Sequence, residues 1–175
     1  MTPGEVATPG KPAWHLRGLR PGDLGWVISR HGSLYAAEYG WDIGFEVAAA
    51  GIAAGVMEGF DPARERAWIA ERDGVPVASV FLVRASDEVA KLRLLITDPA
   101  ARGLGIGRVL VRECTLFARA AGYRRITLWT HSILTAARRL YAAEGYRLVS
   151  SSEISAFGVE LTEETWELDL AAPGG

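Results

Sequence analysis

Apolar residues near the beginning of the chain change from an alternating to a helical spacing. Residues 14–19 alternate between apolar and polar types, which predicts a short strand, and Pro21-Gly22 follows as a turn. Asp23 is a residue type that caps helix N-termini, and Leu24 and Val27 then recur at helical spacing. A strand followed by a helix is therefore the predicted opening.

A second helix is predicted from about Asp42 to Phe60, because apolar residues continue up to the Asp61-Pro62 break. Residues 34–41 lie between the two helices and are predicted to form a connector that is unusually aromatic. Such a connector either lines a binding pocket or packs its rings against the core. The sequence leaves both alternatives open.

Three strands are predicted in the middle of the chain. Residues 67–72 and 75–83 flank Asp73-Gly74, a dipeptide typical of tight hairpins. Residues 89–97 alternate strictly, which predicts a third strand with Lys91 and Arg93 on one face. The opposite face is predicted to carry Ala90, Leu92, Leu94 and Ile96.

A helical stripe begins after Gly105 and is predicted to end at Gly122, a residue type that suits a helix C-terminus. The remaining apolar segments predict a strand, a short helix and two closing strands, at 125–130, 136–144, 146–149 and 165–170. The predicted order β α α β β β α β α β β indicates a mixed α/β (α+β) fold, in which helices flank one central mixed β-sheet.

Length and composition limit the class of protein. The 175 residues, 49% of them hydrophobic, suit one domain, which we expect over 14–170 with a flexible leader at 1–13 and a flexible tail at 171–175. A net charge of −2 provides no basic surface for nucleic acid. The sequence has no signal-peptide pattern and no apolar run long enough to span a membrane, so we expect a cytoplasmic protein.

Cysteine and histidine exclude two further kinds of site. Cys114 is the single cysteine, and its apolar helical surroundings favour a buried packing role over a nucleophilic one. His15, His31 and His131 are scattered without ligand spacing, so we expect no metal. A small molecule is the expected partner, and a homodimer is left open.

The segment from Arg102 to Arg108 follows a strand and opens a helix, so several of its backbone N–H groups have no acceptor within the helix. Its glycines allow close approach of a bulky anion such as a pyrophosphate, and the two arginines could neutralise the charge. A P-loop is excluded because no Gly-Lys-Ser/Thr follows, and the dinucleotide-binding spacing fails at Arg108. A purely structural turn is the alternative.

Three motifs resemble those of the GNAT acyltransferase family. Arg102, Gly105 and Gly107 match its CoA-binding motif, Arg/Gln-x-x-Gly-x-Gly/Ala. The lead-in 98–103 is also similar, as is Ala137-Arg138-Arg139-Leu140-Tyr141 followed by Gly145-Tyr146. The resemblance implies the GNAT fold and acetyl-CoA as co-substrate. The chain is further similar to the acetyltransferase half of fusions that carry a MarR-type regulator domain.

The resemblance also implies roles for individual residues. Tyr141 matches the general acid that protonates the departing CoA thiolate, although a buried core aromatic is its alternative role. The amide of Leu95 or Ile96 is expected to polarise the thioester carbonyl. The cofactor-binding set is Leu94, Leu95, Ile96, Thr97, Arg102, Gly103, Leu104, Gly105, Ile106, Gly107, Arg108 and Tyr141.

The chain departs from the family pattern at the strand glutamate that often deprotonates the acceptor amine. Lys91 and Arg93 occupy that strand instead, and two cations there favour an acceptor that carries a carboxylate or phosphate. The alternative is that both side chains reach past the sheet to solvent or pair with Glu38 or Asp42. Glu38 is the candidate catalytic base, with Asp42 beside it. The expected function is acetyl transfer from acetyl-CoA to a primary amine of a small molecule or peptide. The alternative is a catalytically weak acyl-CoA sensor or interaction module.

Overall fold

The computed structural model describes residues 13–170, so the predicted tail and all but the last residue of the predicted leader lie outside the described residues. The described residues form seven strands, four α-helices and a 3₁₀ turn at Pro99–Ala101. The elements are β1 (His15–Arg17), α1 (Asp23–Tyr39), α2 (Ile43–Met57), β2 (Arg66–Arg72), β3 (Val75–Arg84), β4 (Val89–Thr97), α3 (Ile106–Ala120), β5 (Arg125–His131), α4 (Thr135–Ala143), β6 (Arg147–Ala156) and β7 (Val159–Asp169). The predicted order of elements is confirmed.

The strands form one mixed sheet in the order β1-β2-β3-β4-β5-β7-β6. β4 and β5 run parallel because α3 crosses over between them, and the other neighbouring strands are antiparallel. In the described chain, the pairing of β4 with β5 runs from Val89 opposite Arg125 to Leu92 opposite Leu128 and goes no further. The C-terminal halves of these two strands therefore separate in the middle of the sheet.

Each face of the sheet has its own apolar core. α1 and α2 cover one face, where Val27 and Ala53 pack with Phe81 of β3. α3 and α4 cover the other, where Leu110 and Cys114 are fully buried. Burial raises the pKa of the Cys114 thiol, which agrees with the predicted packing role.

The prediction for residues 34–41 was wrong in its main part. α1 continues to Tyr39 and ends at Gly40, so most of the aromatic segment is the last turns of a helix. The rings of Tyr35 and Tyr39 lie one turn apart on that helix, 5.6 Å between centroids, because residues at i and i+4 share a helix face. α2 also ends earlier than predicted, at Met57.

Strict alternation along β4 fails at Leu94. This residue has a φ of 53°, and it packs with Val27 and Phe81, whereas Leu92 packs on the opposite face of the sheet. The register with β3 shifts between Ser79 and Phe81, which marks a β-bulge. The buried Ser79 hydroxyl donates to the Leu94 carbonyl oxygen at 2.8 Å and so holds the bulge.

The two closing strands are longer than predicted, because polar residues had masked most of β6 and the beginning of β7. They meet in a hairpin at Phe157-Gly158, where both residues have positive φ. The backbone N–H of Asp42 donates to the Phe157 carbonyl oxygen at 2.9 Å. This bond ties the hairpin to the beginning of α2.

Candidate active site

Two adjoining cavities lie where β4 and β5 separate. The first, named here the loop cavity, has a volume of about 510 Å³ and lies between residues 102–107, α1 and α4. The second, the aromatic cavity, has a volume of about 270 Å³ and lies between α1, α2 and the ends of β4 and β5. Both are lined by Tyr35, Leu95, Leu134 and Ala137.

The glycine-rich segment at the loop cavity presents unpaired backbone donors. Gly103 and Gly105 have φ values of 80° and 75°, a conformation that residues with side chains rarely adopt. α3 then begins without a side-chain cap, and its first amide with an acceptor is Val109, which donates to the Gly105 carbonyl oxygen at 3.2 Å. Within the described residues, the backbone amides of residues 103–108 have no hydrogen-bond acceptor. These donors and the dipole of α3 suit an anionic oxygen.

Arg102 and Glu38 form an ion pair beside this segment. Nη2 of Arg102 donates to Oε1 of Glu38 at 2.5 Å, and both residues line the loop cavity. The Arg102 side chain is half exposed, so its other guanidinium N–H groups are accessible to a ligand. Glu38 therefore lies on the side of the loop cavity and not among the residues that line the aromatic cavity.

Tyr141 lies on α4 and lines the aromatic cavity close to the junction of the two cavities. Its side chain is buried, with ring centroids 5.8 Å from Tyr146 and 6.5 Å from Trp166. Burial, with smaller effects of Tyr35 and Cys114, raises the pKa of Tyr141. The phenol thus keeps its proton at neutral pH.

Several aromatic rings line the aromatic cavity. Trp41 is central: its ring centroid lies 4.7 Å from Phe45, 5.2 Å from Phe157 and 5.1 Å from His131. Tyr35 packs 4.6 Å from Phe45. Trp41 lies in the link between α1 and α2, and the other residues come from α1, α2, β5 and the β6–β7 hairpin. The wall suits a flat, apolar group.

Two cations stand at the edge of the aromatic cavity. Lys91 Nζ lies 3.2 Å from the centroid of the Trp129 ring, and Arg93 Cζ lies 5.3 Å from the same centroid. Burial and then the neighbouring Arg93 charge lower the pKa of Lys91 to about 8, against an opposing effect of Glu163. Both side chains are partly buried, and within the described residues neither forms an ion pair with Glu38 or Asp42.

Asp42, the second carboxylate considered from the sequence, has a structural role. Its side chain caps α2 by accepting from the Gly44 amide at 2.8 Å. It also lies against Gly158, where an added Cβ would come within 3.0 Å of its carboxylate.

Comparison with known proteins identifies the family. A sequence model of the "Acetyltransferase (GNAT) family" matches residues 28–146. The chain belongs to the GNAT acetyltransferase family. N-acetylaspartate synthetase of Xenopus tropicalis is 33% identical over 88 residues, which cover 49% of this chain and 32% of that protein. Mycothiol acetyltransferase of Beutenbergia cavernae is 31% identical over 93 residues, which cover 52% and 31%. This GNAT chain thus matches about a third of the length of these relatives.

Solved structures share the GNAT fold with this chain. An acetyltransferase of Streptococcus agalactiae superposes with a TM-score of 0.75 at 22% identity, covering 90% of this chain and 99% of that one. yncA of Salmonella typhimurium, solved with its cofactor acetyl-CoA, superposes with a TM-score of 0.72 at 21% identity, covering 93% and 97%. The predicted fold class is confirmed. Within the described residues, no helix of this GNAT chain is long and apolar enough to span a membrane, and no group of acidic, histidine or cysteine side chains could hold a metal ion.

The GNAT fold brings most of the predicted site residues together. Leu94 and Tyr141 line the aromatic cavity, whereas Leu104 and Arg108 line neither cavity. Arg108 Nε instead donates to Glu144 Oε1 at 2.6 Å, and Leu104 is exposed. The remaining predicted residues line the loop cavity: Glu38, Leu95, Ile96, Thr97, Arg102, Gly103, Gly105, Ile106 and Gly107.

Sequence reasoning identified only one side of the aromatic cavity of this GNAT chain. Pocket lining was one of the two alternatives for residues 34–41, and Tyr35 and Trp41 of that segment do line the cavity. Its wall combines the end of β5, at His131, with Phe157 and with Glu163 on β7. Trp41 and Phe45 belong to segments that the sequence did mark as aromatic or apolar, but their convergence on His131 depends on tertiary contacts. The only local signal was an aromatic segment close to a helix end.

Proposed function

We propose that this chain transfers acetyl from acetyl-CoA directly to a primary amine of a small molecule or peptide. The observation that carries the proposal is the junction of two cavities, one lined by free backbone donors of the glycine segment and one lined by aromatic rings. In yncA, a structure of the same fold, the cofactor is acetyl-CoA.

The diphosphate of acetyl-CoA is assigned to the amides from Gly103 to Arg108, with Arg102 beside them. Free N–H groups at a helix N-terminus favour an anion by geometry and by dipole. The pantetheine arm is assigned to the loop cavity along Leu95, Ile96 and Thr97, which leads its thioester to the junction with the aromatic cavity.

The bulge in β4 supports an oxyanion site at the thioester. The strand registers leave Leu94 and Leu95 without an opposed residue on β3, and the pairing with β5 has already ended at Leu92. The proposed donor to the carbonyl oxygen is the amide of Leu95 or Ile96, because a fixed N–H group stabilises the charge that develops there. The register favours Leu95 of the two, since Ile96 lies opposite Ser79.

Transfer is proposed to be direct. The amine nitrogen attacks the thioester carbonyl carbon, the C–S bond breaks, and Tyr141 gives its proton to the departing thiolate. A cysteinyl intermediate is disfavoured because Cys114, the single cysteine, is fully buried with a raised thiol pKa.

The acceptor is proposed to combine an amine with an anionic group and a flat apolar body. Lys91 and Arg93 provide two cations at the cavity edge, and the packed aromatic rings provide the apolar wall. One relative is named for synthesis of N-acetylaspartate, an acetylated acidic amino acid, which agrees with the anionic part of this acceptor.

A catalytically weak acyl-CoA sensor is the second candidate, motivated by Lys91 and Arg93 in the strand where the family often carries its base. Release of free CoA thiol from acetyl-CoA separates the two. Acetyl-CoA is mixed with polyamines, neutral amines and aromatic amines that carry a carboxylate, and the proposal expects turnover with the last group. Acetyl-CoA binding without thiol release for any amine favours the sensor.

Arg93→Ala tests the acceptor class within the same assay. Loss of a charged hydrogen bond is worth about 1.5–3 kcal/mol, so KM for an anionic acceptor should rise roughly 10- to 150-fold while acetyl-CoA affinity stays unchanged. Arg66→Ala is the matched control, because its guanidinium stacks 4.5 Å from the Phe117 ring outside both cavities. A polyamine turned over better than every anionic amine contradicts the proposed class.

A further inference from the structure

Acetyl transfer requires a group that accepts a proton from the acceptor amine, and the inference here rests on the proposed function. Primary amines are protonated near neutral pH, and only the free amine has a lone pair for attack. Three carboxylates near the cavities are already engaged: Glu38 pairs with Arg102, Asp42 caps α2, and Glu164 accepts from Arg138 at 3.0 Å.

His31 lines the aromatic cavity but is poorly suited to the task. Its Nδ1 lies 2.7 Å from the Val27 carbonyl oxygen, and its side chain is buried. Burial lowers the pKa of His31 to about 4, so its imidazolium is too acidic to hold a proton taken from an amine.

His131 is placed differently. It is the last residue of β5, and its half-buried ring stands edge-on to Trp41, with a centroid separation of 5.1 Å and an interplanar angle of 76°. The strand register sets Glu163 of β7 opposite His131, and both residues line the aromatic cavity. Among the described residues, neither the His131 ring nor the Glu163 carboxylate has a hydrogen-bond partner.

We propose that His131 accepts the proton of the acceptor amine and that Glu163 stabilises the imidazolium that forms. The amine nitrogen loses a proton to the imidazole, and its lone pair forms the C–N bond to the thioester carbon. The C–S bond breaks with its electron pair on sulfur. Of the two protons that an ammonium loses on becoming an amide, one ends on the CoA thiol through Tyr141 and the other passes from His131 to solvent.

The electrostatic surroundings agree with this role. Burial lowers the pKa of His131, while the charges of Glu163 and Glu164 partly oppose that effect, so the imidazole is neutral at neutral pH. The neutral form is the active one, so kcat/KM should fall as the pH falls through the pKa of His131. The titratable and charged groups that face it are Lys91 and Arg93 of β4, His31 and Tyr35 of α1, Glu163 and Glu164 of β7, and Tyr141 of α4.

The test is the pH profile of kcat/KM for thiol release by the parent, His131→Gln and Glu163→Gln. We expect kcat/KM of His131→Gln to be roughly 10²–10⁴-fold lower at neutral pH, with acetyl-CoA affinity unchanged. The variant should also lack the acid limb of the profile, which is the fall of kcat/KM at low pH that protonation of His131 causes. Glu163→Gln should move that limb to lower pH, because it removes a negative charge that favours the imidazolium. His15→Gln is the control, since His15 is exposed on β1.

A second readout does not depend on turnover. Nuclear magnetic resonance of the imidazole C–H protons should assign the kinetic limb to His131 and should show its pKa falling in Glu163→Gln. A His131→Gln variant with the parent's rate and acid limb overturns the inference and leaves the proposed function intact. If the fall of kcat/KM at low pH persists in His131→Gln but disappears in Lys91→Met, the proton acceptor is Lys91 and the inference is overturned. A parent protein without thiol release for any amine overturns the proposed function and this inference together.

Discussion

Ser79→Ala removes one hydroxyl from the centre of the fold and tests how the bulge in β4 is held. Ser79 is fully buried, and its Oγ donates to the Leu94 carbonyl oxygen at 2.8 Å. Without that donor the buried carbonyl loses a partner, which costs about 1–3 kcal/mol. Leu94 also adopts a φ of 53°, a left-handed conformation that costs roughly 1–2 kcal/mol in a residue with a side chain. The backbone at Leu94 therefore gains by relaxing once the hydroxyl is gone.

We expect Ser79→Ala to lower the free energy of unfolding by about 1–3 kcal/mol, measured by denaturant titration. A relaxed bulge also moves the Leu95 amide, and displacement of a catalytic group by about 1 Å can cost 10²-fold, so kcat should fall by roughly 10- to 100-fold in the thiol-release assay. Ser33→Ala is the matched control, because its hydroxyl donates to the Ser29 carbonyl oxygen at 2.7 Å on the exposed side of α1. A Ser79→Ala variant as stable and as active as Ser33→Ala refutes this reasoning.

Two further predictions concern catalysis and acid stability. Tyr141→Phe keeps the buried ring and removes the acidic proton, so kcat should fall roughly 10²–10⁴-fold with acetyl-CoA affinity nearly unchanged; turnover at the parent's rate returns Tyr141 to a packing role. Burial alone would raise the pKa of Asp23, but hydrogen bonds from Arg17 and from the Arg20 backbone outweigh it and lower that pKa. The ionised Asp23 therefore stabilises the fold at pH values above its unfolded-state pKa. This contribution is lost as the pH falls through its folded-state pKa. Asp23→Ala leaves Arg17 paired with Glu71, so it should lower the unfolding free energy at pH 7 by about 1–3 kcal/mol, the cost of lost hydrogen bonds to charged groups. The exposed Asp87→Ala should cost under about 1 kcal/mol, and equal losses in denaturant titrations contradict this account.

Local chemistry allowed the glycine segment to be predicted from the sequence. Gly103 and Gly105 permit a backbone that few other residues adopt, and the helix that follows at Ile106 supplies free amides whatever the rest of the fold does. The Asp73-Gly74 hairpin was predictable for the same reason, because two adjacent residues determine its turn.

The bulge was not predictable because it depends on a contact between strands. Alternation alone places Leu94 on the same face as Leu92, and nothing near Leu94 in sequence signals a change. The hydroxyl that holds it belongs to Ser79, fifteen residues earlier on β3. Strand register determines which residues meet, and register is a property of the folded sheet.

The rest of the aromatic cavity, beyond Tyr35 and Trp41, could not be predicted for a similar reason. His131 meets Trp41 and Phe157 only because α2 and the β6–β7 hairpin pack over the end of β5. In the sequence alone, none of these three residues differs from a residue that packs in the core. The pairing of Arg102 with Glu38, 64 residues apart, likewise could not be derived from spacing.

The most direct test of the central claim is a calorimetric titration of acetyl-CoA into the parent protein and Arg102→Ala. Arg125→Ala serves as the control, because it removes an exposed arginine that pairs with Glu167 at 3.3 Å away from both cavities. If the glycine segment holds the diphosphate, Arg102→Ala should weaken binding by about 10- to 150-fold, the equivalent of one charged hydrogen bond, and Arg125→Ala should bind like the parent. Equal acetyl-CoA affinity in all three proteins contradicts the placement of the cofactor at this segment.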